Sequence, residues 1–187
     1  MERFDPVMGV TTDRVRSDFL GPGPHQESVR SLVASYDLDQ KLYMWQLFNV
    51  LGKHRIMAIV TSFYERVFAD VDAPWFRDVF VHLGSMKYHV LAQSSMWTDV
   101  MGGGRRYVGG EKRLRQHHDK ASIILTADGA RRWMYHMNQT LQDPSIDVAG
   151  DHRVIPCLEE FIHHYMVQYA DEFRFSYEHA PIVSSSL

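Results

Sequence analysis

The sequence predicts an all-α fold on three observations. Apolar residues recur at spacings of three and four along several long stretches of the chain, which is the periodicity of helices that bury one face. The best strand candidate, residues 122–126, is only five residues long and is equally consistent with a buried loop. A glycine-rich connector over residues 102–110 breaks the helices, and an up-and-down bundle with short, regular loops would not need such a linker.

The first half of the chain is predicted to hold an extension, two adjoining helices and an aromatic corner. Residues 1–38 are polar and show no sustained period, so we expect an N-terminal extension that is loosely packed or helical. A helical stretch runs from Asp39 to Gly52, a residue type suited to ending a helix. The next helix carries an apolar stripe, formed by Ile56, Ile59, Val60, Phe63, Tyr64 and Val67. Pro74 then precedes the aromatic corner at residues 75–80.

The second half is predicted to hold three further helices. Ser85 is a suitable N-cap for a helix that ends at the glycine-rich connector. A short helical turn is expected at residues 112–118. Asp128 is predicted to cap the next helix, which Pro144 must end. Pro156 suits the first turn of the last helix.

Length and composition support one domain and exclude several classes of partner. With 187 residues, 45% of them hydrophobic, the chain can bury one core, expected over residues 39–175 with a C-terminal tail at residues 176–187. The net charge of −3, without a long basic block, argues against a nucleic-acid partner. No stretch approaches the roughly 20 apolar residues of a membrane span, and the N-terminus lacks the apolar core of a secretory signal. The single cysteine, Cys157, fits a reducing compartment, so a cytoplasmic protein is expected.

Five short motifs follow one another along the chain. They are FYERVFAD at residues 63–70, Phe80 with Met86 and His89, GGGRRY at residues 102–107, LRQHH at residues 114–118 and ARRWM at residues 130–134. In this order they resemble the motifs of the truncated (two-over-two) haemoglobins of the globin superfamily, with Gly104 at the place of a proline. Trp133 gives the chain its resemblance to group II of that family. The resemblance covers about residues 45–172.

The resemblance implies a two-over-two helical sandwich around haem b, with His118 as the proximal ligand of the iron. An axial imidazole must come from an element that lies close to the porphyrin, and a glycine-rich connector gives that element the freedom to do so. The neighbouring His117 is the competing ligand. If His118 binds the iron, His117 is expected at the haem edge, with Lys112 and Tyr107 near the propionates. Phe80 is expected to pack against the porphyrin.

On the other side of the iron, the resemblance implies a polar distal pocket. It places the hydroxyl of Tyr64, the amide of Gln93 and the indole N–H of Trp133 around one ligand site. His89 lies four residues before Gln93, on the same helix face, where many relatives have glutamine or a small residue. His89 is therefore expected either to bind the iron as a distal ligand or to donate a hydrogen bond to the gas.

Such donors indicate what the haem protein would do. Donors in a dry pocket favour a ligand that gains negative charge on binding, as O2 does, over neutral CO or NO. O2 held in this way suits redox chemistry such as NO dioxygenation, with a separate electron-donating reductase, better than O2 transport. A haem-based gas or redox sensor is one alternative, and a non-haem, globin-like interaction module is another. A non-haem metal site is a third, because Glu160 and His163 form half of the pattern of a di-iron bundle.

Overall fold

The computed structural model describes residues 31–104 and 121–178, and the described chain is helical. Its five α-helices are α1 (Leu47–Phe68), α2 (Pro74–Leu83), α3 (Met86–Val100), α4 (Ala127–Leu141) and α5 (Val154–Phe173). Short 3-10 helices occupy Met44–Gln46 and Ser122–Ile124. No strand occurs in these two ranges, and the first three residues of the strand candidate at residues 122–126 form the 3-10 helix Ser122–Ile124. The all-α prediction is confirmed.

Helix α1 follows the predicted apolar stripe but begins later than predicted. All six stripe residues are buried: Ile56, Ile59, Val60, Phe63, Tyr64 and Val67. The helical stretch expected from Asp39 begins only at the 3-10 helix Met44–Gln46. Gly52, expected to end that stretch, bends the chain instead, with φ 66° and ψ 171° inside the Leu47–Phe68 run. Only glycine adopts this backbone conformation readily.

The aromatic corner and one helix cap differ from the prediction. Residues 75–80 belong to α2, a regular helix whose first residue is Pro74, a favoured position for proline because its missing N–H is not needed there. The cap of α4 is Thr126, whose Oγ1 accepts a hydrogen bond from Gly129 N at 3.1 Å. Asp128 was predicted to be this cap, but it lies in the first turn and pairs with Arg131.

The caps of α3 and α5 agree with the sequence. The Oγ atom of Ser85 accepts a hydrogen bond from Tyr88 N at 3.3 Å, as expected of the N-cap of α3. Pro156 lies in the first turn of α5. The two helices therefore start where side-chain chemistry predicts them.

The buried side chain of Arg153 connects residues 35–40 to the start of α5. Arg153 is 8% exposed, and its Nη2 lies 2.7 Å from Oδ2 of Asp151. Its guanidinium also donates to three backbone carbonyl groups, those of Ser35, Asp37 and Gln40. Arg153 therefore holds residues 35–40 against the start of α5, and an extension over residues 1–38 that is loosely packed or helical stays a prediction.

The packing of α3 and α4 on α1 positions the site. Both α3 and α4 pack against α1, whereas the two make little direct contact with each other. At the far end of α3, Trp97 packs edge-on against Phe161 of α5, with ring centroids 5.4 Å apart. None of the described helices combines the length and the apolar character that crossing a membrane requires.

Candidate functional site

Two of the predicted distal residues are joined by a hydrogen bond between α1 and α3. The hydroxyl of Tyr64 donates to Oε1 of Gln93 at 2.9 Å. Tyr64 is 4% exposed, and burial raises the pKa of its hydroxyl, so the group stays protonated and acts as a donor. Because Oε1 of Gln93 accepts this bond, the amide NH2 is the part of that side chain with donors to offer.

Trp133 approaches the same part of α1 from α4. Its indole is half-buried, and its ring lies 4.7 Å from the ring of Phe63, the residue next to Tyr64. Phe63 is completely buried and holds the indole against α1. Gln93 of α3 and Trp133 of α4 therefore both approach the short stretch of α1 that holds Phe63 and Tyr64.

His89 is buried among aromatic rings and bonded to the backbone. Its Nε2 lies 2.9 Å from the carbonyl oxygen of Phe80, and its ring stacks on Tyr64 at 5.2 Å between centroids. Burial lowers the pKa of the imidazole, although the carbonyls of Phe80 and Gly84 act in the opposite direction. At neutral pH the ring is therefore uncharged, and its Nε2–H donates to Phe80.

This burial predicts a pH dependence of stability. His89 binds a proton less readily in the folded protein than in the unfolded chain, so its pKa is lower when folded. We therefore expect the free energy of unfolding to fall as the pH drops below the ordinary histidine pKa of about 6.5. His89→Gln keeps an N–H for the Phe80 carbonyl but cannot titrate, so it should lessen this loss.

The measurement is chemical denaturation at several pH values between about 8 and about 5. His54→Gln is the control, because His54 lies exposed on α1. An unchanged pH slope in His89→Gln, or an equal change in His54→Gln, would contradict this account of His89.

Phe80 lies in an aromatic cluster formed by its own ring and those of Tyr64, Phe76 and His89. It is 7% exposed, and its ring centroid lies 5.1 Å from that of Phe76 and 6.0 Å from that of Tyr64. Its carbonyl accepts the His89 bond. This contact ties the end of α2 to α3 at the wall of the candidate site.

The side chains on α3 and α4 fit a large, flat, apolar group such as haem. Five apolar side chains on these helices pack against the core but are only half-buried: Met86, Met96, Val100, Trp133 and Met134. The buried hydroxyl of Tyr64 and the amide of Gln93 add a polar pair between α1 and α3. An apolar surface with a few polar groups is the usual composition of a small-molecule site.

Four of the predicted haem contacts cannot be placed. Tyr107, Lys112, His117 and the proximal candidate His118 lie outside the described residues. The prediction of a helical turn at residues 112–118 lies there as well. Within residues 31–104 and 121–178, no group of three or more His, Cys, Asp or Glu side chains could hold a metal ion.

The sequence reading missed a buried polar cluster beside the site. Asp70, directly after α1, binds both Arg132 and His136 of α4. The signal was present, because Arg132 and His136 are four residues apart and share one face of an amphipathic helix. Their common partner could not be found without the packing of α1 against α4.

Comparisons with known proteins agree with the motifs and the fold. The model of the family "Bacterial-like globin" matches residues 46–167. Over 110 residues the chain is 29% identical to "Group 2 truncated hemoglobin 3-1" of Lotus japonicus, which covers 58% of this chain and 62% of that protein. It is also 29% identical to "Two-on-two hemoglobin-3" of Arabidopsis thaliana, over 58% of this chain and 60% of the relative. The match thus spans about three-fifths of each relative's length.

No solved structure is significantly similar to the chain. The family match nevertheless extends from the start of α1 into α5 and includes every motif on which the resemblance to truncated haemoglobins rests. The name of the first relative agrees with the predicted likeness to group II, and the name of the second agrees with the two-over-two type. The chain belongs to the bacterial-like globin family, the truncated globins of the two-over-two type.

Proposed function

We propose that this protein binds haem b and a diatomic gas, and that it carries out redox chemistry between O2 and NO. The observation that carries the proposal is the part-buried hydrogen bond from the buried Tyr64 to Gln93, beside the buried ring of His89. A plain globular core would not need a hydroxyl at the buried position of Tyr64, because buried polar groups are costly unless they are paired. Membership of the globin family implies haem and a small gaseous ligand.

The proposal assigns a role to each predicted residue around the haem. When bound, haem would supply an iron that binds a diatomic gas. His118 would hold the iron, and Tyr107, Lys112 and His117 would meet the propionates. Phe80 would pack against the porphyrin, and its contact with the ring of Phe76 would hold it in place.

The distal donors would select O2 and retain it. Tyr64 fixes the orientation of the Gln93 amide by donating to its oxygen, which leaves the amide N–H groups for the gas. Trp133 adds an indole N–H from α4. Each hydrogen bond contributes about 0.5–1.5 kcal/mol, so two or three would slow the release of O2 by roughly one to three orders of magnitude. Retention of that strength does not suit a carrier.

Retained O2 suits a reaction with a second small molecule. NO, O2 and one electron combine to give nitrate, so the reaction needs an electron donor, which we propose to be a separate reductase.

The single cysteine supports a location in the reducing cytoplasm. Cys157 is buried, and burial raises the pKa of its thiol to about 12. A thiol of this kind is unreactive, as expected of a protein in that compartment.

In this proposal, His89 supports the site through its hydrogen bond to the backbone carbonyl of Phe80 and does not bind the gas. Its Nε2 donates to the carbonyl of Phe80 in the structure, so His89 would support the wall of the pocket and leave the iron free to bind the gas. Binding of His89 to the iron would require that bond to break. The absorption spectrum of the reduced protein distinguishes the two states.

The test is the visible spectrum of protein expressed with a supply of haem, in the ferric, reduced and CO-bound forms. We expect a Soret band and a broad, high-spin reduced spectrum. His118→Gly should lose the haem, whereas His117→Gly should retain it. Absence of a Soret band would overturn the haem proposal, loss of haem in His117→Gly alone would transfer the proximal role to His117, and sharp α and β bands before CO would make His89 an iron ligand.

The redox proposal has its own test. With haem bound and a reductant present, the protein should consume NO and O2 and form nitrate in equal amounts. Stable O2 binding without nitrate formation would overturn the NO reaction and leave a gas-binding or sensing protein.

A further inference from the structure

Asp70 is a buried carboxylate directly after the end of α1. The residue is 5% exposed, and its Oδ1 accepts hydrogen bonds from the backbone N–H groups of Asp72 at 3.2 Å and Ala73 at 3.1 Å. These bonds fix the carboxylate at the turn between α1 and α2. A buried carboxylate is costly unless charged or polar partners compensate it.

The compensating partners come from a different helix. Arg132 of α4 binds the carboxylate through two nitrogens, with Nε 2.7 Å from Oδ2 and Nη2 2.5 Å from Oδ1. His136, one turn further along α4, places its Nε2 2.7 Å from Oδ2. Asp70 thus holds two side chains of α4 at once.

At neutral pH, Asp70, Arg132 and His136 each have one protonation state. The Arg132 hydrogen bond holds the pKa of Asp70 well below its usual range, although burial acts in the opposite direction. Burial lowers the pKa of His136, with the charges of Arg132 and Arg66 acting in the same direction, although the contact with Asp70 raises it. The carboxylate is therefore ionised, Arg132 is its counter-ion, and His136 is a neutral donor through Nε2–H.

This arrangement fixes the rotation of α4 about its own axis. Arg132 and His136 project from nearly the same face of the helix, and both converge on one carboxylate at the turn between α1 and α2. Trp133 follows Arg132 directly and packs on Phe63 of α1 at 4.7 Å. If α4 turned about its axis, the Asp70 contacts and the direction of the Trp133 indole would change together.

We propose that Asp70 is a positioning residue that sets the direction of the Trp133 indole toward the ligand site, through Arg132 and His136. The inference rests on the proposed function, in which Trp133 donates to the gas. Asp70 does not touch the ligand. Its effect on the gas should therefore depend entirely on the presence of Trp133.

A second ion pair between the same parts of the chain provides a matched control. Arg66 of α1 lies 2.5 Å from Asp143, which follows the end of α4, and both side chains are less buried than Asp70. This pair also fastens α4 to α1, but from beyond the end of the helix. Asp143→Asn therefore loosens the same packing without releasing the face next to Trp133.

The experiment is a double-mutant cycle on the haem-loaded protein, with Asp70→Asn, Trp133→Phe, the double variant and Asp143→Asn. We expect Asp70→Asn to raise the O2 dissociation rate about two- to tenfold, to have no further effect in the Trp133→Phe background, and to exceed the effect of Asp143→Asn. The second readout is the indole N–H resonance of Trp133 in the CO-bound protein, assigned by its loss in Trp133→Phe. It should move in Asp70→Asn and not in Asp143→Asn.

The two readouts separate this inference from the proposed function. If the Trp133 resonance moves but Trp133→Phe leaves the O2 rate unchanged, Asp70 positions Trp133 and the donor role of Trp133 is wrong. If the resonance does not move, or if Asp70→Asn acts equally in both backgrounds, the positioning role is overturned. Arg132→Gln removes the same contact from the half-exposed partner and must give the same pattern, so the inference stays testable if Asp70→Asn does not fold.

Discussion

Replacing Tyr64 with phenylalanine is expected to speed O2 dissociation from the haem-loaded protein by about 10- to 100-fold. The change removes one hydroxyl and keeps the ring, so the packing on His89 and Phe80 is preserved. The effect reaches the gas through Gln93, because the single O–H of Tyr64 is donated to Oε1 of that amide and fixes the direction of both amide N–H groups. The rate is measured by stopped flow, with CO replacing O2.

The controls for this prediction use the same chemical change elsewhere. Tyr165 is also buried, on α5, so Tyr165→Phe should leave the O2 dissociation rate within about twofold of the wild-type rate. Gln93→Leu should resemble Tyr64→Phe, and the double variant should add little, because the two residues act as one hydrogen-bonded unit. An unchanged rate in Tyr64→Phe would remove the Tyr64–Gln93 pair from the ligand site.

The helices of this fold could be predicted because their signals are local. The stripe from Ile56 to Val67 is buried throughout, and Ser85 caps α3 as its position suggests. Where two residues offered the same chemistry, local signals were not enough. Thr126 and Asp128 are both good caps, and the extended backbone at Thr126 gives its hydroxyl access to Gly129 N.

The candidate site could be predicted only in part, because its contacts join distant segments. The family resemblance named Tyr64 and Gln93, and the structure joins them by a hydrogen bond. It did not reveal that Nε2 of His89 would find the carbonyl of Phe80, since backbone groups leave no trace in residue types. Asp70 was missed for a similar reason, because a carboxylate after a helix is an ordinary turn residue until its partners on α4 are known.

Gly102 is expected to be the least replaceable of the three described glycines that follow α3, Gly102, Gly103 and Gly104. Its φ of +94° is unfavourable for any residue with a side chain, and an added Cβ would lie only 2.1 Å from the carbonyl oxygen of Trp45. That oxygen belongs to the 3-10 helix Met44–Gln46, which cannot retreat easily because Phe48 N donates to Met101 O at 3.0 Å nearby. Gly102→Ala should therefore lower the free energy of unfolding by about 3 kcal/mol or more.

The variant Gly150→Ala distinguishes two contributions to the loss of stability in Gly102→Ala. These are the free-energy cost of a positive φ and the cost of the contact with Trp45. Gly150 also has a positive φ, +67°, but an added Cβ would meet no described atom within 4 Å, so Gly150→Ala should cost only about 1–2 kcal/mol. Denaturation of both variants gives the difference. Equal losses would mean that Met44–Gln46 moves aside and that the close contact with Gly102 is not needed. A larger loss for Gly102→Ala, together with weaker haem retention, would mean that this contact fixes the direction in which the chain leaves α3 toward His118.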